Sequence, residues 1–236
     1  MKTVFAFVLA VLLISCSNNS KTSGNGTVYL RTFYTAFAGG SLTISWIYLG
    51  KDGTIVHNPR HGVDPVNIEA EKKDTEKNVG TYEIDGDKMK IVWSNGKENE
   101  WGIEKEKGEI TIIDGGIVTV PDKFEKGETI KGKFAALAVS SGFSRVQSFV
   151  FKKDGKFDVV TSTAVSNDYA SSYGENNKGG TYELEGNTLR MEFEDGRKEA
   201  ATITHWKQDD GKLHLVINDS SFPQEDLFNQ VAGLYQ

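Results

Sequence analysis

The chain has 236 residues, a formal net charge of −6, 11% aromatic and 25% charged residues, with 25 glycines and only 4 prolines. That content is too apolar for a disordered chain, and its 27 basic residues are interspersed with 33 acidic ones rather than gathered in a stripe, so nucleic acid is not expected as a partner. A single cysteine excludes a disulfide framework and a thiolate zinc cluster.

The first predicted element is an address. Residues 1–15 carry a basic Lys2 and an apolar run over 4–14, too short for a permanent membrane span and shaped like a secretory signal. Leu13-Ile14-Ser15-Cys16 resembles the bacterial lipobox, which implies that Cys16 is acylated, becomes the mature N-terminus and partners the membrane through its lipid. Residues 16–26 are polar and rich in Gly, Ser and Asn, the composition of a flexible tether. By similarity to lipoprotein sorting rules, Ser17 rather than Asp at the second mature position implies the outer membrane of a Gram-negative cell. The tether lacks an acidic cluster, which favours the periplasmic face and leaves the cell surface open as the alternative.

A first repeat is expected over 27–128. Strands are predicted at 28–37 and 42–49, ending at the turn Lys51-Asp52-Gly53. The segment 57–79 contains Pro59, Pro65 and a charged stretch at 67–77 with helical character. Residues 80–97, GTYEIDGDKMKIVWSNGK, then read as a hairpin: Tyr82 and Ile84 share one face, as do Met89, Ile91 and Trp93, the period-2 pattern of half-buried strands. Asp85-Gly86 and Asn95-Gly96 supply the positive φ that tight turns require. Strands at 98–103 and 109–113 close the unit.

The second repeat is expected over 129–236. Strands at 131–139, 146–151 and 157–160 surround the turn Lys153-Asp154-Gly155, and 162–179, rich in Ser, Asn, Tyr and Gly, reads as a loop. Residues 180–197, GTYELEGNTLRMEFEDGR, repeat the hairpin, Gly180 lying 100 residues after Gly80. A two- or four-residue turn at Gly186 places Tyr182 and Leu184 on the same face as Leu189, Met191 and Phe193. Strands at 198–206 and 212–218 follow, and 223–235 has the pattern of a short amphipathic helix carrying Leu227, Phe228, Val231 and Leu234 across a barrel end. Six to eight strands per repeat, no long helical period and a period too long for a propeller blade predict an all-β protein. Its expected form is two tandem antiparallel β-meanders, as separate up-and-down barrels or one merged β structure.

A strand ending in Asp-Gly, a long segment, Gly-Thr-Tyr-Glu-x-x-Gly-x-x-[Met/Leu]-[Lys/Arg] and a second [Asn/Asp]-Gly turn is similar to bacterial lipocalin-like lipoproteins. The resemblance covers most of the mature chain. It implies up-and-down β-barrels and carries over no catalytic residue.

Chemistry is sparse. His57 and His61 are separated by Pro59 and cannot share a helical face; His205 and His214 fall singly in strand-like segments. Gly39-Gly40 and Gly115-Gly116 lie outside a strand-to-helix context, Asp209-Asp210 precede a turn glycine, and Ser140-Ser141 have no base at recognisable spacing. No catalytic residue, metal site or cofactor is expected. The leading expectation is a non-catalytic binding or interaction module of the envelope, partnered by an envelope protein, with barrels filled by their own side chains. The alternatives are a carrier of a small apolar ligand in a barrel lumen and, more distantly, a glycan-active hydrolase. Tyr82, Trp93, Tyr182 and Phe193 are the candidate ligand-facing or core positions, and their bulk argues for narrow lumens. The segments 57–79 and 162–179 are expected to be lids over a mouth, recognition loops or plain surface excursions. A hollow barrel would place beside them an apolar cavity of roughly 300 Å³ or more.

Overall fold

A computed structural model describes residues 22–23, 25–35, 41–140, 143–167, 170–207, 209 and 211–224. The lipobox with Cys16 lies outside the described residues, as does the expected C-terminal helix beyond residue 224.

In chain order the first half forms β1 (Thr22–Ser23), β2 (Gly26–Thr35), β3 (Ser41–Gly50), β4 (Thr54–His57), β5 (Val66–Asn67), α1 (Ile68–Asp74), β6 (Val79–Asp85), β7 (Lys88–Trp93), β8 (Glu98–Glu106), β9 (Glu109–Ile113) and β10 (Gly116–Thr119). The second half forms β11 (Gly132–Ser140), β12 (Phe143–Phe151), β13 (Lys156–Asn167), β14 (Ala170–Glu185), β15 (Thr188–Phe193), β16 (Lys198–Lys207), β17 (Leu213–Ile217) and β18 (Ser220–Pro223). The first half closes into an antiparallel barrel in the order β10-β2-β3-β4-β6-β7-β8-β9. In the second, β11 to β18 form an eight-stranded sheet in chain order, whose ends meet at an antiparallel bridge between Phe134 and Gln224. The protein is therefore two tandem up-and-down β-barrel units, each built largely from local hairpins.

The repeated hairpins obey their turn chemistry. Asp85 faces Lys88 and Glu185 faces Thr188, leaving two-residue turns whose first positions, Gly86 and Gly186, have φ of 63° and 60°. Glycine at that position is what the tight hairpin turn with one left-handed residue demands. The register puts Leu184 opposite Leu189 and Tyr182 opposite Met191. The two short strands β10 and β18 were not marked by any long apolar run.

Three expectations need correction. First, 162–179 is not a loop: β13 and β14 stay paired from Lys156–Thr181 to Asn167–Ala170. Its polar residues pair as readily as apolar ones because the backbone ladder, not the side chain, makes the hydrogen bonds. Second, Ile84 is 37% exposed whereas its counterpart Leu184 is fully buried. The inter-barrel segment crosses over the second hairpin, where Gly127 N–H donates to Leu184 C=O at 3.0 Å and Phe124 and Gly186 exchange backbone bonds at 3.0 Å. Third, 57–79 is no lid over a mouth. Val63, Val66 and Ile68 pack with Trp46, Tyr48, Ile44, Leu30 and Val28 on the outer wall of the first barrel, together with Val216 of the second.

The segment braces the two units. Helix α1 is capped at its start by Asn67, which accepts from Ala70 N–H at 3.1 Å. The buried Glu71 carboxylate accepts from the backbone N–H of Arg60 and His61 at 2.8 and 2.7 Å, and burial still raises its pKa. The turn just before α1 reaches the second hairpin: the Thr188 hydroxyl accepts from Val63 and Asp64 N–H at 2.8 and 2.9 Å, and Asp64 Oδ2 accepts from Asn187 N–H at 2.6 Å. A side chain on Gly62 would meet Thr188 Cγ2 at 2.3 Å, and one on Gly186 would meet Asp64 Oδ2 at 2.3 Å, so both glycines permit the approach. Trp46 Nε1–H donates to Asn218 C=O across the same seam.

Candidate functional site

Alternation along each strand gives the barrels an inner face, and their registers match position by position. Leu49 pairs with Ile55 and Ile47 with His57 in the first barrel; Phe151 pairs with Phe157 and Phe149 with Val159 in the second. One strand back, Tyr29 and Arg31 face Ile47 and Ser45, as Phe134 and Ala136 face Phe149 and Gln147. Hence Ile47, Leu49, Ile55 and Tyr29 correspond to Phe149, Phe151, Phe157 and Phe134, while Arg31, Ser45 and His57 correspond to Ala136, Gln147 and Val159. The lower layers of the second barrel carry the larger rings, and in its upper layers Ala136 and Val159 are smaller than Arg31 and His57 while Gln147 is larger than Ser45.

In the first barrel the upper level is occupied by its own groups. Trp101 packs against His57 and Trp93 at ring separations of 5.7 and 5.8 Å, and Trp93 Nε1–H donates to Asn99 Oδ1 at 2.7 Å. Arg31 donates through Nε to Ile113 C=O at 2.9 Å and through Nη2 to Asp114 C=O at 2.7 Å. Burial, reinforced by the Arg31 guanidinium, lowers the His57 pKa to about 4, so this imidazole is neutral at physiological pH.

The second barrel is closed below and open above. Phe149 stacks on Phe151 at 5.6 Å, Phe151 meets Tyr182 at 4.9 Å and Phe157 meets Phe193 at 5.2 Å, forming an aromatic floor. Above it lies a space of about 500 Å³ at the barrel mouth, beside the long β13–β14 hairpin. Its walls are polar: Arg145 and Gln147 from β12, Thr161 and Thr163 from β13, Asn176 and Lys178 from β14, with Arg197 and Glu199 opposite. Arg197 lies over the Phe193 ring at 4.1 Å and pairs with the Glu199 carboxylate, which fixes it in place. Arg145 and Lys178 have no ion-pair partner among the described residues. The lining is suited to binding a polar molecule by charge and hydrogen bonds, and it differs from the apolar cavity expected of a hollow carrier.

A larger concavity of about 1040 Å³ lies on the outer wall of the first barrel, over Thr81, Glu83, Lys90 and Val92. The second barrel has a repeat-related groove of about 620 Å³ over Thr181, Glu183, Arg190 and Glu192, edged by His61 and Pro65. The mouth is the better candidate despite its smaller volume. The outer grooves lie on strand surface whose wall cations are engaged, Lys90 with Asp85 at 3.8 Å, Lys198 with Glu192 at 3.1 Å, and Arg190 with Asp64 C=O at 2.9 Å, with Lys51 at the edge of the larger groove.

The four aromatic positions singled out from the repeat all point inward, but they do different things. Trp93 and Phe193 are buried; Phe193 is the pocket floor. Tyr82 Oη donates to Gly50 C=O at 3.0 Å, and the buried Tyr182 oxygen accepts from Ile130 N–H at 3.0 Å while lying 2.9 Å from Ile130 C=O and 3.1 Å from Lys152 C=O. Burial raises both phenol pKa values, and both rings tie a wall strand to a turn rather than facing the pocket's polar walls. The histidines are dispersed: His61 pairs with Asp74 at 2.7 Å, His205 lies tilted against Phe124 at 4.4 Å and His214 stacks on Trp206 at 4.2 Å. Among the described residues no group of three or more His, Cys, Asp or Glu is placed to hold a metal ion. Arg145, Lys178 and Arg197 were not singled out from the sequence; the available signal was the parity of Phe157, Val159, Thr161 and Thr163, which turns polar along an inward face.

Comparisons with family models, with curated proteins and with solved structures find no match to this chain.

Proposed function

We propose that this is a non-catalytic binding module, anchored to the bacterial outer membrane through an acylated Cys16, that works through the open mouth of its second barrel. The first barrel is the structural half: it fills its own lumen and braces the second through the 57–79 segment. The observation that carries this reading is the asymmetry between the lumens at the level of His57 and Val159: in the first barrel His57 packs against Trp101, and in the second Val159 lines an open space. A duplication that served packing alone would have no physical need to leave about 500 Å³ in one copy, with two cations on its wall that have no ion-pair partner among the described residues. The polar walls favour a water-soluble ligand over the apolar cargo of a lipid carrier, because burying unpaired polar groups against hydrocarbon is costly.

The test is native mass spectrometry of the protein purified from bacterial envelopes, with and without Thr161→Trp, which puts a ring into the pocket. The expected result is a bound small molecule in the wild type that is absent from a folded T161W variant. A co-purifying molecule retained equally by both, or none in either, overturns the assignment of the working site to this mouth.

A further inference from the structure

Resting on that reading of the second mouth, we infer that its ligand is a small anionic, hydroxyl-bearing molecule of the sugar-acid or sugar-phosphate class. Three cations and one carboxylate line the space, in a chain whose overall charge is −6. Glu199 neutralises Arg197, which leaves Arg145 and Lys178 at the mouth as positive charges without an ion-pair partner among the described residues. The position matching Arg145 in the first barrel is Thr43, so this cation belongs to the second copy alone.

The placement of the two cations defines the ligand further. Arg145 pairs across to Thr163 from β12, and Lys178 pairs across to Val159 from β14. They therefore stand on the two strands flanking β13, about 10 Å apart across the sheet and about 13 Å apart along it, roughly 16 Å in all before side-chain reach is counted. Between them run the hydroxyls of Thr161 and Thr163, with the amides of Gln147 and Asn176 alongside. Hydroxyls and amides offer donors and acceptors together, and Glu199 adds an acceptor. A bare inorganic anion would use only the donors; a molecule with its own hydroxyls uses both. Two cations are too few for a nucleic-acid track, and the volume falls in the range of small-molecule sites.

The shared chemistry, acidic groups on a hydroxyl-rich frame, could come from a carboxylated glycan or from a phosphorylated sugar, so titration calorimetry of the purified full-length protein uses one probe of each kind. Digalacturonate and fructose 1,6-bisphosphate are compared with neutral maltose. At least one anion is expected to bind at least tenfold more tightly than maltose, and to weaken by roughly tenfold between 50 and 500 mM salt. Arg145→Gln and Lys178→Gln should each weaken it at least fivefold with unchanged melting temperature, while Lys90→Gln on the outer wall leaves it unchanged. The salt response of the wild type tests the charge requirement even if a variant misfolds. If maltose binds as tightly as either anion and Thr161→Trp abolishes it, the anion inference falls and the binding site stands. If none of the three binds and no small molecule co-purifies, both fall.

Discussion

Trp101 and Ala201 hold the same register position in the two barrels, Trp101 opposite Met89 and Ala201 opposite Leu189. An indole in one copy and a methyl in the other decide how each barrel is filled at that level. Around Trp101 the space is shared with His57 and Trp93; around Ala201 the bulk is supplied by rings from other strands, among them Phe149, Phe222 and Phe193. Trp101→Ala should therefore open a cavity that the rigid barrel cannot collapse into, costing about 3 kcal/mol in urea unfolding. A loss below about 1 kcal/mol would mean that the indole is not part of the packing.

Acid should weaken the first barrel through His57. Its folded pKa of about 4 lies below the ordinary value of 6.5, so between those pH values the unfolded chain takes up a proton that the folded one refuses. Stability from this group is present above pH 6.5, falls as the pH drops towards 4 and is then exhausted, a total on the order of 3 kcal/mol. Replacing His57 with Leu should flatten that part of the stability profile. An unchanged slope between pH 6.5 and 4 in the variant would remove His57 as its cause.

Asp64 joins the two units. It takes a hydrogen bond from Asn187, an ion pair from Lys123 at 3.3 Å and, through its carbonyl, a bond from Arg190 at 2.9 Å. Asp64→Ala leaves the Asn187 N–H without its partner and should cost about 2 kcal/mol. Differential scanning calorimetry should also show a broader transition in the variant than in the wild type as the barrels uncouple. A variant with an unaltered transition would make the seam a passive contact.

The two repeat tyrosines should not be equal. Tyr182 is buried and its oxygen both accepts and donates, whereas the half-buried Tyr82 makes one bond to Gly50. Tyr182→Phe strands the buried Ile130 N–H and should cost about 1.5 kcal/mol more than Tyr82→Phe. Equal costs in chemical denaturation would contradict the difference in burial.

Cys16→Ala should release the protein from membranes in cell fractionation. Equal retention of the variant after a carbonate wash would end the acyl-anchor proposal.

What the sequence determined by itself was the period and the wall. The two GTYE hairpins fixed the duplication, because period-2 alternation and glycine turns are local chemistry that leaves one workable register. The inward set Tyr82, Trp93, Tyr182 and Phe193 followed from that parity, and the helix in 57–79 from its charged stretch. Only the tertiary structure decided what each lumen holds. Parity says that a residue points inward but not what stands across from it, so the exchange of Trp101 for Ala201, or of Arg31 for Ala136, has no meaning until eight strands close round. The segment 162–179 was misread for a related reason: a polar composition suited to a loop is equally compatible with a paired strand, because the ladder hydrogen bonds come from the backbone. The brace at Asp64 and Thr188 joins residues more than a hundred positions apart, and no local pattern marks a contact made only after both barrels have formed.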